Sequence, residues 1–358
     1  MQKYEAKGRG SVLEPAHRFS NYSVVDDPGV REELARVDPD LEAIRPATKV
    51  EIDDSRSILT ENRSPDIGFR YSLNPYRGCE HGCAYCYARP YHEYLGYNAG
   101  IDFETRILAK ELAPDLLEQK LASPSWQPEP IACSGITDCY QPLERNLRIT
   151  RECLVRFRDF RNPVGVITKN ALVTRDLDLL SELSSHEAAL VVISLTSLDA
   201  DLAGRLEPRA SRPQARLDAM KALSEAGIPV GVSVAPLIPG LNDHEIPALL
   251  EASADHGASF ASGTLVRLPY AVKDVFADWL ERFLPDRKEL ILNRIREIRG
   301  GELNDSDFHT RMTGKGPLAS QIRQLLRLSK RRFGLEERAP ILSSSSFRRR
   351  LPGQLELF

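Results

Sequence analysis

The chain has 358 residues, 42% hydrophobic and 28% charged, with a formal net charge of -3. This ordinary globular mix can bury a core and excludes a fibrous or wholly disordered chain. The charge is uneven: residues 311–358 hold eleven Lys or Arg against three Glu, a net of +8, which suits either a solvated basic face or a polyanion.

Residues 1–65 are rich in Pro, Gly, Asp and Arg and show weak periodicity, apart from a short helix predicted over 30–37. They read as an irregular extension that wraps the core or meets a partner. Within it Lys7-Gly8-Arg9-Gly10 offers either a phosphate contact or plain flexibility. The first residues carry positive charge but no apolar run, and no stretch approaches the roughly 18 apolar residues of a membrane span. The expectation is a soluble cytoplasmic protein without membrane contact.

From residue 69 the pattern changes. Apolar runs over 69–74, 130–134, 164–168, 190–195, 230–235 and 264–268 read as strands. Residues 103–121 read as a strand or loop turning into a helix. Helices are predicted over 149–160, 177–183, 214–226, 245–256 and 272–283. Six strands, each followed by a helix or loop, predict an α/β unit over 66–285 with a parallel sheet and right-handed crossovers. Such strands gather functional residues at their carboxyl ends. Beyond it, helices over 287–299 and 320–333 form a basic region (286–334), and polar residues 335–353, with four consecutive serines, read as a mobile linker.

Six cysteines in a chain without an evident export signal point to a reduced compartment and to metal or redox use. Cys79, Cys83 and Cys86 stand at CxxxCxxC spacing just after the first strand. Three thiolates can serve three irons of a 4Fe-4S cluster; with His81 or His92 as a fourth ligand they can instead hold zinc.

The cysteine motif, with Tyr85 before its last cysteine, resembles the signature of the radical S-adenosylmethionine (SAM) superfamily. Within it the chain looks most like uncharacterised proteins related to spore photoproduct lyase. The words that carry this are NPYRGCEHGCAYCYARP, AGIDFETRI, ITDCYQPLE, ITKN, RLEPRA and VAPLIPGLNDHE, spread over most of the chain. The resemblance implies a partial (β/α)6 radical SAM barrel, a 4Fe-4S cluster on Cys79, Cys83 and Cys86, and SAM chelated to the open iron.

It also implies roles around SAM. Thr137 and Asp138, after the second strand, match the loop that meets the SAM amino group, and a turn or cap is their other reading. Lys169 and Ser194, at the third and fourth strand ends, match positions that bind the SAM carboxylate or ribose. Arg205 and Glu207 are further candidates, with a surface ion pair as the alternative. Gly240, lacking a Cβ, would let backbone approach the adenine; Arg267, Leu268 and Tyr85 would complete that pocket. Spore photoproduct lyases use a cysteine in the second-strand region as hydrogen-atom donor. Cys139 and its neighbour Tyr140, expected together at the cavity mouth, and Cys133, inside the strand, are the candidates, while Cys153 reads as structural.

The last residues, Gln354-Leu355-Glu356-Leu357-Phe358, resemble the QLxLF peptide that binds the bacterial DNA sliding clamp. Leu357 and Phe358 would fill an apolar pocket and Gln354 would bond at its rim, behind Arg348, Arg349 and Arg350. The leading expectation is a radical SAM enzyme acting on nucleic acid in lyase-like DNA repair or base modification, reduced by a flavodoxin or ferredoxin. The alternatives are the same chemistry on a peptide, protein or metabolite, and a metal-containing DNA-binding accessory without turnover.

Overall fold

The computed structural model describes residues 8–19 and 47–349; the helix expected over 30–37 and the clamp-like peptide lie outside the described residues. Where the sequence reads as irregular, the extension supplies two strands, β1 (Lys49–Ile52) and β2 (Leu59–Glu61). Their side chains are mostly exposed and the runs are only four and three residues long, so no buried face marks them; backbone pairing makes them strands, β1 to a partner far along the chain.

β3 (Tyr71–Leu73) begins the main sheet, and β4 (Tyr76–Arg77) leads directly into the cysteine loop. The chain returns along β5 (Arg106–Ala109), which pairs antiparallel with β4 and parallel with β1. The cysteine loop is thus a long excursion pinned at its base by Tyr76 opposite Ala109 and Arg77 opposite Leu108.

The main sheet continues with β6 (Ile131–Cys133), β7 (Val164–Thr168), β8 (Ala189–Ser194), β9 (Val230–Leu237) and β10 (Phe260–Leu265). Its order, β10-β9-β8-β7-β6-β3-β2, is sequential, and all neighbours from β3 to β10 run parallel. β8 is buried at five of six positions, which is why it reads as a continuous apolar run rather than an alternating one. The helix Ile149–Phe160 buries Ile149, Cys153, Leu154, Phe157 and Phe160, one stripe at helical spacing against the sheet.

β10 begins and ends earlier than the 264–268 predicted from its apolar residues. Ser262 and Gly263 interrupt the pattern because helix Gly316–Arg332 packs there, and a Cβ on Gly263 would stand 2.7 Å from Leu326 Cδ2.

Residues 335–349 are not the loose linker their composition suggests. Leu335 is buried and Glu336 bridges to Phe260; Ser343 N–H donates to the Glu187 carbonyl at 2.9 Å. Phe347 lies 6.3 Å from Phe160 between ring centres. Arg348 donates to the Asp159 carbonyl at 2.8 Å and Arg349 to the Trp126 carbonyl at 2.9 Å. These partners precede β10, β8, β7 and β6, so the segment crosses the amino ends of the strands, opposite the cysteine loop. Two of the three terminal arginines are anchors at this end.

Candidate cofactor site at the strand ends

Glycine shapes the cysteine loop. Gly78 and Gly82 adopt φ values of +78° and +65°, the left-handed region that glycine enters freely. Cys79 N–H donates to the Phe103 carbonyl at 2.9 Å and Ala84 N–H to the Leu206 carbonyl at 3.0 Å. Cys79 packs with Ala88 and Phe103, Cys83 with Ala84 and Tyr85, and Cys86 touches both groups. All three thiols are free, and burial raises each above the usual range.

The segment 8–13 straps this loop. Glu104, fully buried, accepts from Gly10 N–H at 2.9 Å and Ser11 N–H at 2.8 Å, and pairs with Arg89. Arg89 in turn donates to the Cys83 carbonyl at 2.9 Å and the Gly100 carbonyl at 2.8 Å. Arg9 donates to the Glu104 carbonyl at 2.7 Å, which makes it a buried structural contact. Gly10 is required here, since a Cβ would stand 1.6 Å from the Gly82 carbonyl oxygen.

The words after the strands hold the same loop from the other side. Asp138 Oδ1 accepts from Thr168 Oγ1 at 2.7 Å and Tyr140 N–H at 2.9 Å; its Oδ2 accepts from Lys169 N–H at 2.8 Å and lies 3.4 Å from His81 Nδ1. It ties β6, β7 and the cysteine loop together rather than standing open as an acceptor. Thr137 donates its hydroxyl to the Tyr76 carbonyl at 2.7 Å, the turn role. Asn74 and Gln141 were not singled out from sequence. Asn74 Oδ1 accepts from Ile136 N–H at 2.8 Å, and Gln141 Oε1 from Glu80 N–H at 2.9 Å. Both stand inside words that carry the family resemblance, the one signal available for them.

Lys169 follows β7 and Ser194 closes β8, the third and fourth strand ends. The Lys169 ammonium has no ion pair among the described residues. Burial lowers its pKa, but Glu207 and Cys83 outweigh burial and the net shift is upward. Ser194 is buried, and its carbonyl accepts from Arg216 at 2.9 Å.

Glu207 and Arg205 part company. Glu207 is buried and accepts from Tyr85 Oη, from Thr196 Oγ1 at 2.7 Å and from Arg216. Burial alone would raise its pKa, yet Arg216 and Lys169 hold it at about 2. Arg205 is exposed, on the outer side of helix Ala200–Leu206, with its guanidinium 6.0 Å from the Phe283 ring centre. It takes no part in the site.

Gly240 also departs from expectation. It has φ +80°, and a Cβ would meet Arg294 Cδ at 2.8 Å, so the glycine answers to a turn and to a C-terminal helix rather than to the strand-end face. Within that loop Ile238 packs with Tyr85, Val266 and Leu268, and Asn242 Oδ1 accepts from Ile238 N–H at 2.7 Å.

The cysteines beyond the motif are in the core. Cys133, Cys139 and Cys153 are fully buried and belong to the main hydrophobic cluster, where Cys133 is a hydrogen-bond partner of Cys139. Cys139 and Tyr140 therefore do not stand at a mouth. Tyr140 is fully buried with its hydroxyl 2.9 Å from Asp176 Oδ2. The sequence places Cys139 after the strand, but its N–H donates to Ser134 Oγ at 3.1 Å and its carbonyl accepts from Thr150 Oγ1 at 2.6 Å, which seats it against helix Ile149–Phe160.

Among the described residues no three His, Cys, Asp or Glu side chains are placed to hold one metal ion. His81 uses both ring nitrogens, on Asp138 at 3.4 Å and Asn170 at 3.3 Å. His92 lies between Tyr97 and Phe103, with ring centres at 5.2 and 5.6 Å. An iron-sulfur cube asks for less convergence, because each thiolate binds its own iron.

Residues 73–252 match the model of the Radical SAM superfamily, which is half of the chain. An uncharacterized protein of Mycobacterium tuberculosis is 35% identical over 234 residues, 65% of this chain and 68% of the relative. One from Methanocaldococcus jannaschii is 32% identical over 198 residues, 55% and 72% of the two chains. The fold is similar to spore photoproduct lyase complexed with dinucleoside spore photoproduct, at 16% identity and a TM-score of 0.57 over 80% of each chain. A lyase mutant with bound AdoMet matches at 15% identity and 0.57, over 89% of this chain and 87% of the other. The chain belongs to the radical SAM superfamily of enzymes. No helix among the described residues is long and apolar enough to cross a membrane.

Proposed function

We propose that Cys79, Cys83 and Cys86 hold a 4Fe-4S cluster, that the face between β6 and β8 holds SAM, and that the enzyme turns radical chemistry on nucleic acid. The observation that carries the cofactor reading is the donor set: three free, enclosed thiols on one strapped loop, with the unpaired Lys169 ammonium held beside Cys83. When bound, such a cluster supplies the electron that splits SAM into methionine and a 5′-deoxyadenosyl radical.

The chain's own residues then position and enclose. Lys169 answers the SAM carboxylate as a charge-assisted donor. Ser194 supplies a hydroxyl for the ribose. Ile238, Leu268 and the Tyr85 ring form an apolar wall for the adenine, and the Tyr85 hydroxyl is occupied by Glu207. Asp138, Gln141 and Glu104 act at one remove, by fixing the loop that carries the thiols. Burial of the loop keeps water from a reactive carbon-centred radical.

The nucleic-acid substrate is supported by the fold, which is similar to a lyase solved with a dinucleoside photoproduct, and by the cations of the C-terminal region. An external one-electron donor of the flavodoxin or ferredoxin class is part of the proposal, as is docking of Gln354, Leu357 and Phe358 on a sliding clamp. A pull-down with and without the last five residues tests the latter; equal recovery discards it. Anaerobic reconstitution followed by reduction with SAM and ultraviolet-damaged DNA tests the enzyme. Protein-bound iron and sulfide, with methionine and 5′-deoxyadenosine formed from SAM, are the expected outcome. One bound zinc and no 5′-deoxyadenosine would reject it, and 5′-deoxyadenosine without any change in DNA mass would move the substrate to a peptide or metabolite.

A further inference from the structure

Among the exposed large apolar and aromatic side chains are four tyrosines, Tyr87, Tyr91, Tyr94 and Tyr270, between 40% and 67% accessible, and all four line one cavity of about 680 Å³. That volume lies in the range of ligand clefts, roughly 300 to 1,000 Å³. Tyr87 follows Cys86 directly, and its hydroxyl donates to the Gly135 carbonyl at 2.9 Å, so the cavity opens beside the loop after β6. The opposite wall comes from the residues after β10, Arg267 to Tyr270.

The charge in this cavity is lopsided. Among the described residues, Arg18, Arg267, Lys273, Arg296 and Arg311 face it, against the single carboxylate Glu302. Glu93 and Asp66 pair with Arg18 and Arg311, and Glu289 stands 4.0 Å from Arg296. Arg267 and Lys273 have no ion pair among the described residues, and Arg267 Nε is buried without a hydrogen-bond partner. The rings are backed by cations: the Arg18 guanidinium carbon is 3.9 Å from the Tyr270 ring centre and that of Arg267 is 5.5 Å from Tyr87. Tyr270 is held at φ +50°, a left-handed conformation that a bulky side chain rarely adopts.

Exposed aromatic rings, three of the four (Tyr87, Tyr94 and Tyr270) beside a guanidinium, together with cations that have no ion pair among the described residues, are the combination that takes flat π systems joined by anions. We propose that this cavity binds a nucleic-acid strand with its bases unstacked: Tyr94 and Tyr270 stack on bases, while Arg267 and Lys273 meet the flanking phosphates. The proposal rests on the nucleic-acid reading of the substrate and adds the place and the single-stranded form. A paired duplex, whose bases are closed to stacking, would meet only the cations.

Fluorescence anisotropy of the full chain, without reductant, tests it with a labelled single-stranded DNA 12-mer, the same sequence as RNA, and the DNA duplex. The single strand is expected to bind at least about tenfold more tightly than the duplex, with stacking as the source. The Tyr94→Ala/Tyr270→Ala pair should lose tenfold or more, and Tyr94→Phe/Tyr270→Phe should keep the affinity. Lys273→Gln should weaken all oligonucleotides alike and reduce the salt slope by about one. The RNA arm decides which sugar the cavity accepts. Equal affinity for duplex and single strand, equal competition by polyglutamate, or no effect of the alanine pair overturns the site while leaving the nucleic-acid reading standing. Failure of the wild-type chain to bind any oligonucleotide removes both, and loss of 5′-deoxyadenosine formation with binding intact touches only the cofactor reading.

Discussion

Tyr85 donates a hydrogen bond from its buried hydroxyl to the carboxylate of Glu207, so the residue just before the third cysteine is tied to the end of helix Ala200–Leu206. Arg216 and Thr196 hold the same carboxylate. Removing the charge with Glu207→Gln leaves Arg216 buried and uncompensated, at a cost of about 3–5 kcal/mol. Tyr85→Phe leaves Glu207 its other donors and should cost only about 1–2 kcal/mol. Urea unfolding of the two variants distinguishes the cases, and equal losses would show that the carboxylate does not hold the network.

Lys169 stands beside Cys83 with no ion pair among the described residues. Lys169→Met should weaken SAM binding by about tenfold or more, the worth of one charge-assisted hydrogen bond, while leaving the iron content and visible absorbance of the reconstituted protein unchanged. Calorimetric titration of SAM into the reconstituted variant checks it. Unaltered affinity would remove Lys169 from the SAM site.

The six cysteines should divide cleanly. Replacing Cys79, Cys83 or Cys86 with Ala should abolish iron retention. Replacing Cys139, buried in the main core against Cys133, should leave iron content intact and cost about 1–3 kcal/mol in stability through the cavity it opens. Iron assay and thermal melting of the single variants decide this; loss of iron in the Cys139 variant would contradict it.

Gly10→Ala places a methyl group where the Gly82 carbonyl oxygen already stands, 1.6 Å away. The strap over residues 8–13 must then lift, and Glu104 loses its two N–H donors. The expected outcome is faster proteolytic clipping of the N-terminal segment and faster loss of iron in air, with Gly68→Ala as the control because its φ is not left-handed and a Cβ there meets nothing within 4 Å.

Burial between aromatic rings lowers His92 to about 4, below the ordinary value near 6.5. The folded chain then binds fewer protons than the unfolded one between these values, so stability is fully present above about pH 6.5 and falls as the pH drops toward 4. The loss across that window is roughly 3 kcal/mol. His92→Gln, which does not titrate there, should flatten this limb in urea melts at pH 7, 5.5 and 4.5. A variant that declines as steeply as the parent would assign the slope to other groups.

The helices were legible wherever one stripe of the sequence is apolar at helical spacing: Ile149–Phe160 and Val272–Phe283 have the bounds that periodicity assigns. The central strands were equally plain, because β8 reads as a continuous apolar run and β7, with Val164, Val166 and Thr168 buried, alternates. β1 and β2 were not, since runs of four and three residues with mostly exposed side chains are too short to show a buried face, and only pairing to a partner's backbone makes them strands. The basic stretch before the terminus misled in the other direction: polar residues suggested a mobile linker, while Phe347, Arg348 and Arg349 dock through a ring contact and main-chain carbonyls that composition does not reveal.

The spacing of Cys79, Cys83 and Cys86 and the words around them are chemistry written locally, and the sequence by itself determined the superfamily and the thiols that serve it. What faces those thiols depends on residues brought together from six strand ends, and only the tertiary structure decided it. It left Lys169 free, spent Asp138 on holding the loop, turned Gly240 and Arg205 outward and sank Cys139 and Tyr140 into the core. The physical reason is that a side chain's chemistry belongs to its type, whereas its burial and its hydrogen-bond partners belong to whatever distant residue the fold sets against it.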